Sequence, residues 1–103
     1  MLPEDKIAEL KQKHGDVWEI EGLIVPVVFK RPKPAEAERF AVSGNDEKKR
    51  MGAAKELCSR VVVHPELAEW NKLTEEWPLL PFKVAGEVAE VMSGQAQTDA
   101  KKL

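Results

Sequence analysis

The sequence has no tyrosine, one cysteine, two histidines and no long apolar run. Each shortage excludes something. A single cysteine, Cys58, cannot close an internal disulfide, so folding does not require an oxidising compartment. Zinc takes three or four ligands, and with Cys58, His14 and His64 as its only thiol and imidazoles such a site would have to recruit carboxylates. A membrane-spanning helix needs about 20 apolar residues, and no stretch approaches that length. The opening residues, MLPEDKIAEL, carry charges where a signal peptide needs its apolar region. A cytoplasmic protein with no membrane span is expected. Charge of one sign is also scarce: 16 basic against 18 acidic residues leave a net charge of −2. That balance lacks the long-range field that draws proteins to nucleic acid or anionic lipid. With 103 residues, the chain is long enough for one core and too short for two.

What is present reads as α+β: an N-terminal helix and a β-hairpin, then a bundle of about four helices. A single domain is expected over residues 1–94, with a short helix in 1–15, the hairpin in 16–31 and the helical part in 33–94. Pro3, Glu4 and Asp5 suit a first helical turn, Lys11, Lys13 and His14 a last one, and Gly15 a C-cap. Only Ile7 and Leu10 make an apolar stripe there. Val17 to Ile20 is rich in strand formers, Glu21-Gly22 supplies a turn, and Leu23 to Lys30 reads as the return strand. That strand is apolar on both faces, and Pro26 removes a ladder donor, so Val25, Pro26 and Val27 are expected to border an unpaired edge suited to self-association.

Pro34 opens a helix to about Val42, and Ser43-Gly44-Asn45 breaks it. Asn45 reads as the N-cap of the next helix, with Asp46 and Glu47 in its first turn. Met51, Ala54, Leu57, Cys58 and Val61 carry a helical stripe that is expected to run through Val63 to a stop at Pro65. A fourth helix places Leu67, Trp70, Leu73 and Trp77 along one face. Pro78 and Pro81 bracket a two-leucine link to a fifth helix ending at Ser93-Gly94. In that last helix Phe82, Val84, Ala85, Val88, Ala89, Val91 and Met92 cover roughly 180°, against about 100° for a single core seam, while Lys83, Glu87 and Glu90 hold the other side. The excess is either burial between two neighbours or a core face joined to a partner face. Residues 95–103 are expected to be a disordered tail.

Chemistry is thinly provided. Cys58 and His64 fall on one predicted helix, but six residues apart they point about 120° away from alignment. Cys58 also lies on the apolar stripe, where a buried structural thiol is the ordinary identity. The carboxylates follow solvent faces, and no phosphate loop, dinucleotide turn or nucleophile elbow occurs. No enzyme activity, metal or cofactor is expected. Two basic clusters, Lys30-Arg31-Lys33 and Lys48-Lys49-Arg50 with Lys55 and Arg60, raise a helix-turn-helix alternative. Asp46 and Glu47 at the start of the expected second helix would repel DNA there. Trp18, Trp70 and Trp77 are the more telling residues, because tryptophan anchors cores and protein interfaces alike.

Asp16-Val17-Trp18-Glu19-Ile20, Val28-Phe29-Lys30-Arg31-Pro32, Val63-His64-Pro65 ahead of Trp70, and Glu76-Trp77-Pro78-Leu79-Leu80-Pro81 before a helix ending in Ser93-Gly94 together carry a family resemblance. In this order they resemble the small tail-assembly chaperones of long-tailed bacteriophages, over roughly residues 16–94. The resemblance implies a non-catalytic phage or prophage protein that coats the hydrophobic, coiled-coil tape-measure protein and keeps it soluble. Tail-tube subunits displace such chaperones. They often self-associate and are often also made in a longer, frameshifted form. Trp70, Leu73, Trp77, Phe82, Val84, Val88, Val91 and Met92 are then the candidate contact residues. A prophage-type DNA-binding regulator and a structural subunit of the particle are the alternatives.

Overall fold

The computed structural model describes residues 2–95 and 98–103. Among these residues the chain forms five α-helices and a four-stranded antiparallel sheet, an α+β fold. Helix α1 (Glu4–His14) has the expected charge order and ends where Gly15, at φ 77°, donates its N–H to Lys11 O at 2.8 Å.

The sheet comprises β1 (Val17–Ile20), β2 (Val27–Lys30), β3 (Val62–His64) and β4 (Ala100–Lys102), in the order β3-β2-β1-β4. Trp18 faces Phe29 and Ile20 faces Val27 across the β1–β2 pair. Alternation along the strands sends Trp18, Ile20, Val27 and Phe29 into the main core and leaves Val17 and Val28 on the opposite face. The Trp18 and Phe29 rings stack at 5.5 Å between centroids, and the Arg31 guanidinium lies 5.0 Å over Trp18.

Three expectations about the sheet are corrected. The return strand begins at Val27 and not Leu23, so residues 21–26 form a connection that carries Gly22 at φ 83°. Val62 and Val63 belong to a strand: α3 stops at Val61, and Val62 and His64 pair with Phe29 and Val28. The helical stripe is in phase up to Val61, but an open β2 edge offers β-branched residues a ladder that a frayed helix end cannot match. The expected disordered tail instead adds β4, with Ala100 opposite Ile20 and Lys102 opposite Trp18. Ala100 is buried in the main core, Leu103 packs with Val17, and Lys101 and Lys102 pair with Glu21 and Asp16 at 3.2 and 3.5 Å. Residues 96 and 97 of that tail lie outside the described residues.

The remaining helices are α2 (Pro34–Ser43), α3 (Arg50–Val61), α4 (Leu67–Glu76) and α5 (Leu80–Met92). Ala54, Leu57, Cys58 and Val61 of α3, Trp70 of α4, and Leu80, Val84, Ala85 and Val88 of α5 join the sheet residues in one core. Leu10 of α1 covers the other sheet face with Val17 and Val28, so the sheet is sandwiched between helical layers. At the end of helix α2 Gly44 still donates to Phe40 O at 2.7 Å, and a Cβ there would approach that oxygen to 2.8 Å, so glycine suits this close approach. The next helix starts later than expected. Asp46 and Glu47 stand in a turn, Asp46 Oδ1 accepts the Lys48 N–H at 2.9 Å, and α3 begins at Arg50.

Candidate partner-binding surface

Trp77 terminates α4: its N–H still reaches Leu73 O, but Pro78 has no N–H to continue the ladder. Leu80 N–H then bonds to Trp77 O at 3.0 Å, and α5 starts with Pro81 in its first turn. The short Trp77-Pro78-Leu79 link therefore stands out from the body, with Trp77 44% and Leu79 71% exposed. The 21–26 connection between β1 and β2 approaches it and contributes Ile24, 64% exposed. Leu23, Ile24, Trp77, Leu79 and Leu80, with the Lys83 stem, line a hollow of about 440 Å³. Several large apolar side chains converging on one exposed hollow is the arrangement that protein-binding sites favour.

Of the expected contact residues, Trp77 borders this hollow and the other seven do not. Trp70, Val84 and Val88 are buried in the core, and Leu73, Val91 and Met92 are half-buried against it. The broad apolar arc of α5 is thus accounted for at its centre by burial, between the sheet, α3 and the approach to β4. Trp77 and Phe82 remain exposed, but Phe82 faces a different hollow, lined by Phe40, Ala41, Gly44, Asn45, Arg50 and Gly86. Ile24 and Leu79 were missed as surface residues. Their signal was present in a return segment apolar on both faces and in a two-leucine link between prolines.

The expected self-association edge is also corrected. Val27 is fully buried in β2, which pairs with β1 on one side and β3 on the other. Val25 and Pro26 precede the strand and, with His64, Pro65, Glu69 and Leu73, border a 260 Å³ hollow. Pro26 therefore removes a donor from the connection and not from a sheet edge; the outer strands are β3 and β4.

A second correction concerns Glu87, which the helical wheel placed toward solvent. It is 4% exposed, on a helix that packs against α3 and β4. Its Oε1 accepts from Lys83 Nζ at 2.9 Å, and Lys83 also reaches Asp99 at 3.4 Å. Glu87 Oε2 has no hydrogen-bond partner among the described residues. The hydrogen bond to Glu87, with the nearby carboxylate charges, raises the Lys83 pKa. Lys83 thus lies at the edge of the apolar hollow and ties α5 to the chain entering β4.

The titratable candidates are structural in placement. Cys58 is fully buried, its Sγ donates to Pro81 O at 3.3 Å, and burial pushes the thiol up to about 12. A thiol so far above neutral pH offers almost no thiolate for nucleophilic attack. His64, at the end of β3, is held below its ordinary pKa chiefly by burial and secondly by Lys6. Glu36 is lowered first by the backbone N–H of Lys33, which it caps at 2.9 Å, and further by Arg60. Among the described residues, no group of three or more His, Cys, Asp or Glu is placed to hold a metal. No helix among them is long and apolar enough to cross a membrane.

The chain belongs to a family defined by a domain of unknown function, DUF6848, whose model matches residues 10–101. It is similar in structure to an uncharacterised protein, rbstp2171, from Bacillus stearothermophilus, at 34% identity and a TM-score of 0.73 over 89% of this chain and 96% of that one. No curated protein matches it.

Proposed function

We propose that this protein is a non-catalytic polypeptide-binding protein of the phage or prophage tail-assembly chaperone kind, working in the host cytoplasm. Its client would be a hydrophobic, coiled-coil tape-measure protein. The observation that carries the proposal is the hollow between Ile24, Trp77 and Leu79, where exposed apolar side chains from two separate connections meet around about 440 Å³. A client helix with large apolar residues at successive turns would bury them there, with the charged client face left to solvent. The order of short motifs from Asp16 to Gly94 supports the same reading. Self-association, which that kind of chaperone often shows, has the outer edges of β3 and β4 available.

The test is co-expression with a tape-measure protein from the same tail module. Wild type is expected to keep the client in the soluble fraction and to co-purify with it. Ile24→Asp and Trp77→Ala should each lose co-purification at least tenfold while leaving the thermal midpoint within a few degrees, because neither side chain is buried in the core. Undiminished co-purification by both variants would overturn the assignment of the surface. Failure of wild type to bind any tape-measure segment, together with DNA affinity that falls steeply with salt, would replace the reading with the regulatory one.

A further inference from the structure

Helix α2 differs from its neighbours in how it is attached. It has no fully buried residue, and Val42 near its end is 75% exposed. Hollows flank it on both sides. One of about 380 Å³ lies against α3, bordered by Arg39, Phe40, Gly52, Leu57 and Arg60. On the α5 side there are two, of about 280 and 270 Å³, bordered among others by Ala37, Ala41, Met92 and by Phe82 and Gly86. Phe40 borders all three and is the residue of α2 that packs against the main core. The flanking helices carry glycine where they border these spaces, and a Cβ at Gly52 or Gly86 would meet nothing within 4 Å.

The rest of the attachment is polar and at most partly buried: Arg39 to Glu56 at 2.7 Å, Arg60 to a half-buried Glu36 at 3.5 Å, and Arg50 Nε donating to Gly44 O at 3.0 Å where α2 ends. The Arg39–Glu56 pair is exposed at both ends, and such pairs hold weakly and are screened by salt. A ten-residue helix has little stability without packing. The turns after it, through Lys49, are largely exposed and give α2 a hinge. From this we infer that α2 is a flap that opens on its own while the sheet, α3 and α5 stay folded. Withdrawal of Phe40 joins the three hollows into a single trough with an apolar floor of Leu57, Val88 and Met92 and a charged rim of Lys49, Glu56 and Arg60 on the α3 side, a surface absent from the closed molecule. This is independent of the hollow at Trp77, which α2 does not border.

Native-state hydrogen exchange with peptide resolution tests it. Amides of α2 should exchange about tenfold or more faster than those of α3 and α5, at a rate insensitive to low denaturant, the signature of local opening. Phe40→Ala should speed α2 about another tenfold and leave α3 and α5 unchanged. Arg39→Met, which leaves the core untouched, should speed α2 roughly threefold, and wild type in high salt should do the same; this arm decides if Phe40→Ala does not fold. Equal protection across α2, α3 and α5 with a shared denaturant dependence would overturn the inference. So would α2 exchange that ignores Arg39→Met, salt and Phe40→Ala.

Discussion

Helices α5 and α2 lie side by side, and both begin with proline in the first turn. Helix α5 buries Leu80, Pro81, Val84, Ala85, Glu87 and Val88, whereas α2 buries none of its ten residues completely. The contrast does not come from helix propensity, because the alanine-rich α2 is built from good helix formers. It comes from neighbours. Helix α5 packs on α3, contributes to the sheet core and contacts β4, while α2 touches α3 and α5 through small residues, one phenylalanine and ion pairs to α3. One helix is part of the body; the other is applied to it.

Charge substitutions probe that contrast with the largest expected effect. Val84→Asp puts a carboxylate into a fully buried position and should cost about 4 kcal/mol or more, enough to abolish cooperative unfolding. Val42→Asp in α2 should change stability by no more than about 0.5 kcal/mol. Chemical denaturation of the two variants measures both, and similar losses would dissolve the distinction. The same pair settles the roles of the α5 valines, because a Val84→Asp protein that stays folded would return that face to the interface reading.

The buried side of α5 next to β4 provides an intermediate effect. Lys83→Met leaves the Glu87 carboxylate buried without its ammonium and is expected to cost about 2 kcal/mol. Adding Glu87→Leu removes the orphaned charge and should recover most of that loss. Urea midpoints of the single and double variants check it; a double variant no better than the single would mean that Glu87 is not the stranded group.

Acid should separate the two regions by a smaller margin. The folded-state pKa of Glu36 is depressed, so its contribution to α2 is present above the unfolded carboxylate pKa and is lost as pH falls through the folded one. His64 is also depressed: its contribution is present above the ordinary imidazole pKa of about 6.5 and is lost as pH falls below that through its folded value. Stability of the whole molecule should therefore decline first, from just above pH 6.5 downward. Selective loosening of α2 should follow below the ordinary carboxylate range, read as faster exchange in α2 relative to α5 after correction for intrinsic rates. Glu36→Gln should remove the selective step and leave the earlier decline in place.

Much of the fold was legible in order along the chain. Gly15 closes α1, Pro34 opens α2, and the Ala54, Leu57, Cys58 and Val61 stripe does face the core. Glu87 differs from the wheel for a specific reason: a wheel drawn from α5 alone cannot include β4, which packs against α5 and brings Asp99 to Lys83. Val62 and Val63 were misread for a related one, since whether β-branched residues extend a helix or pair as a strand depends on an available sheet edge. Of the candidate surface, Trp77 and Phe82 could be picked out as large apolar residues, but their separation onto different hollows could not.

By itself, the sequence determined part of the local structure and the composition limits: the Gly15 end of α1, the proline starts of α2 and α5, the alternation of β1, and that a single cysteine and two histidines leave little for metal or nucleophile chemistry. These are matters of residues within one or two turns of each other. The tertiary structure alone decided which apolar faces were already used. Burial is a property of pairs of elements distant in the chain, so Val84 and Val88 became core, Ile24 joined Trp77, and α2 was left on the outside.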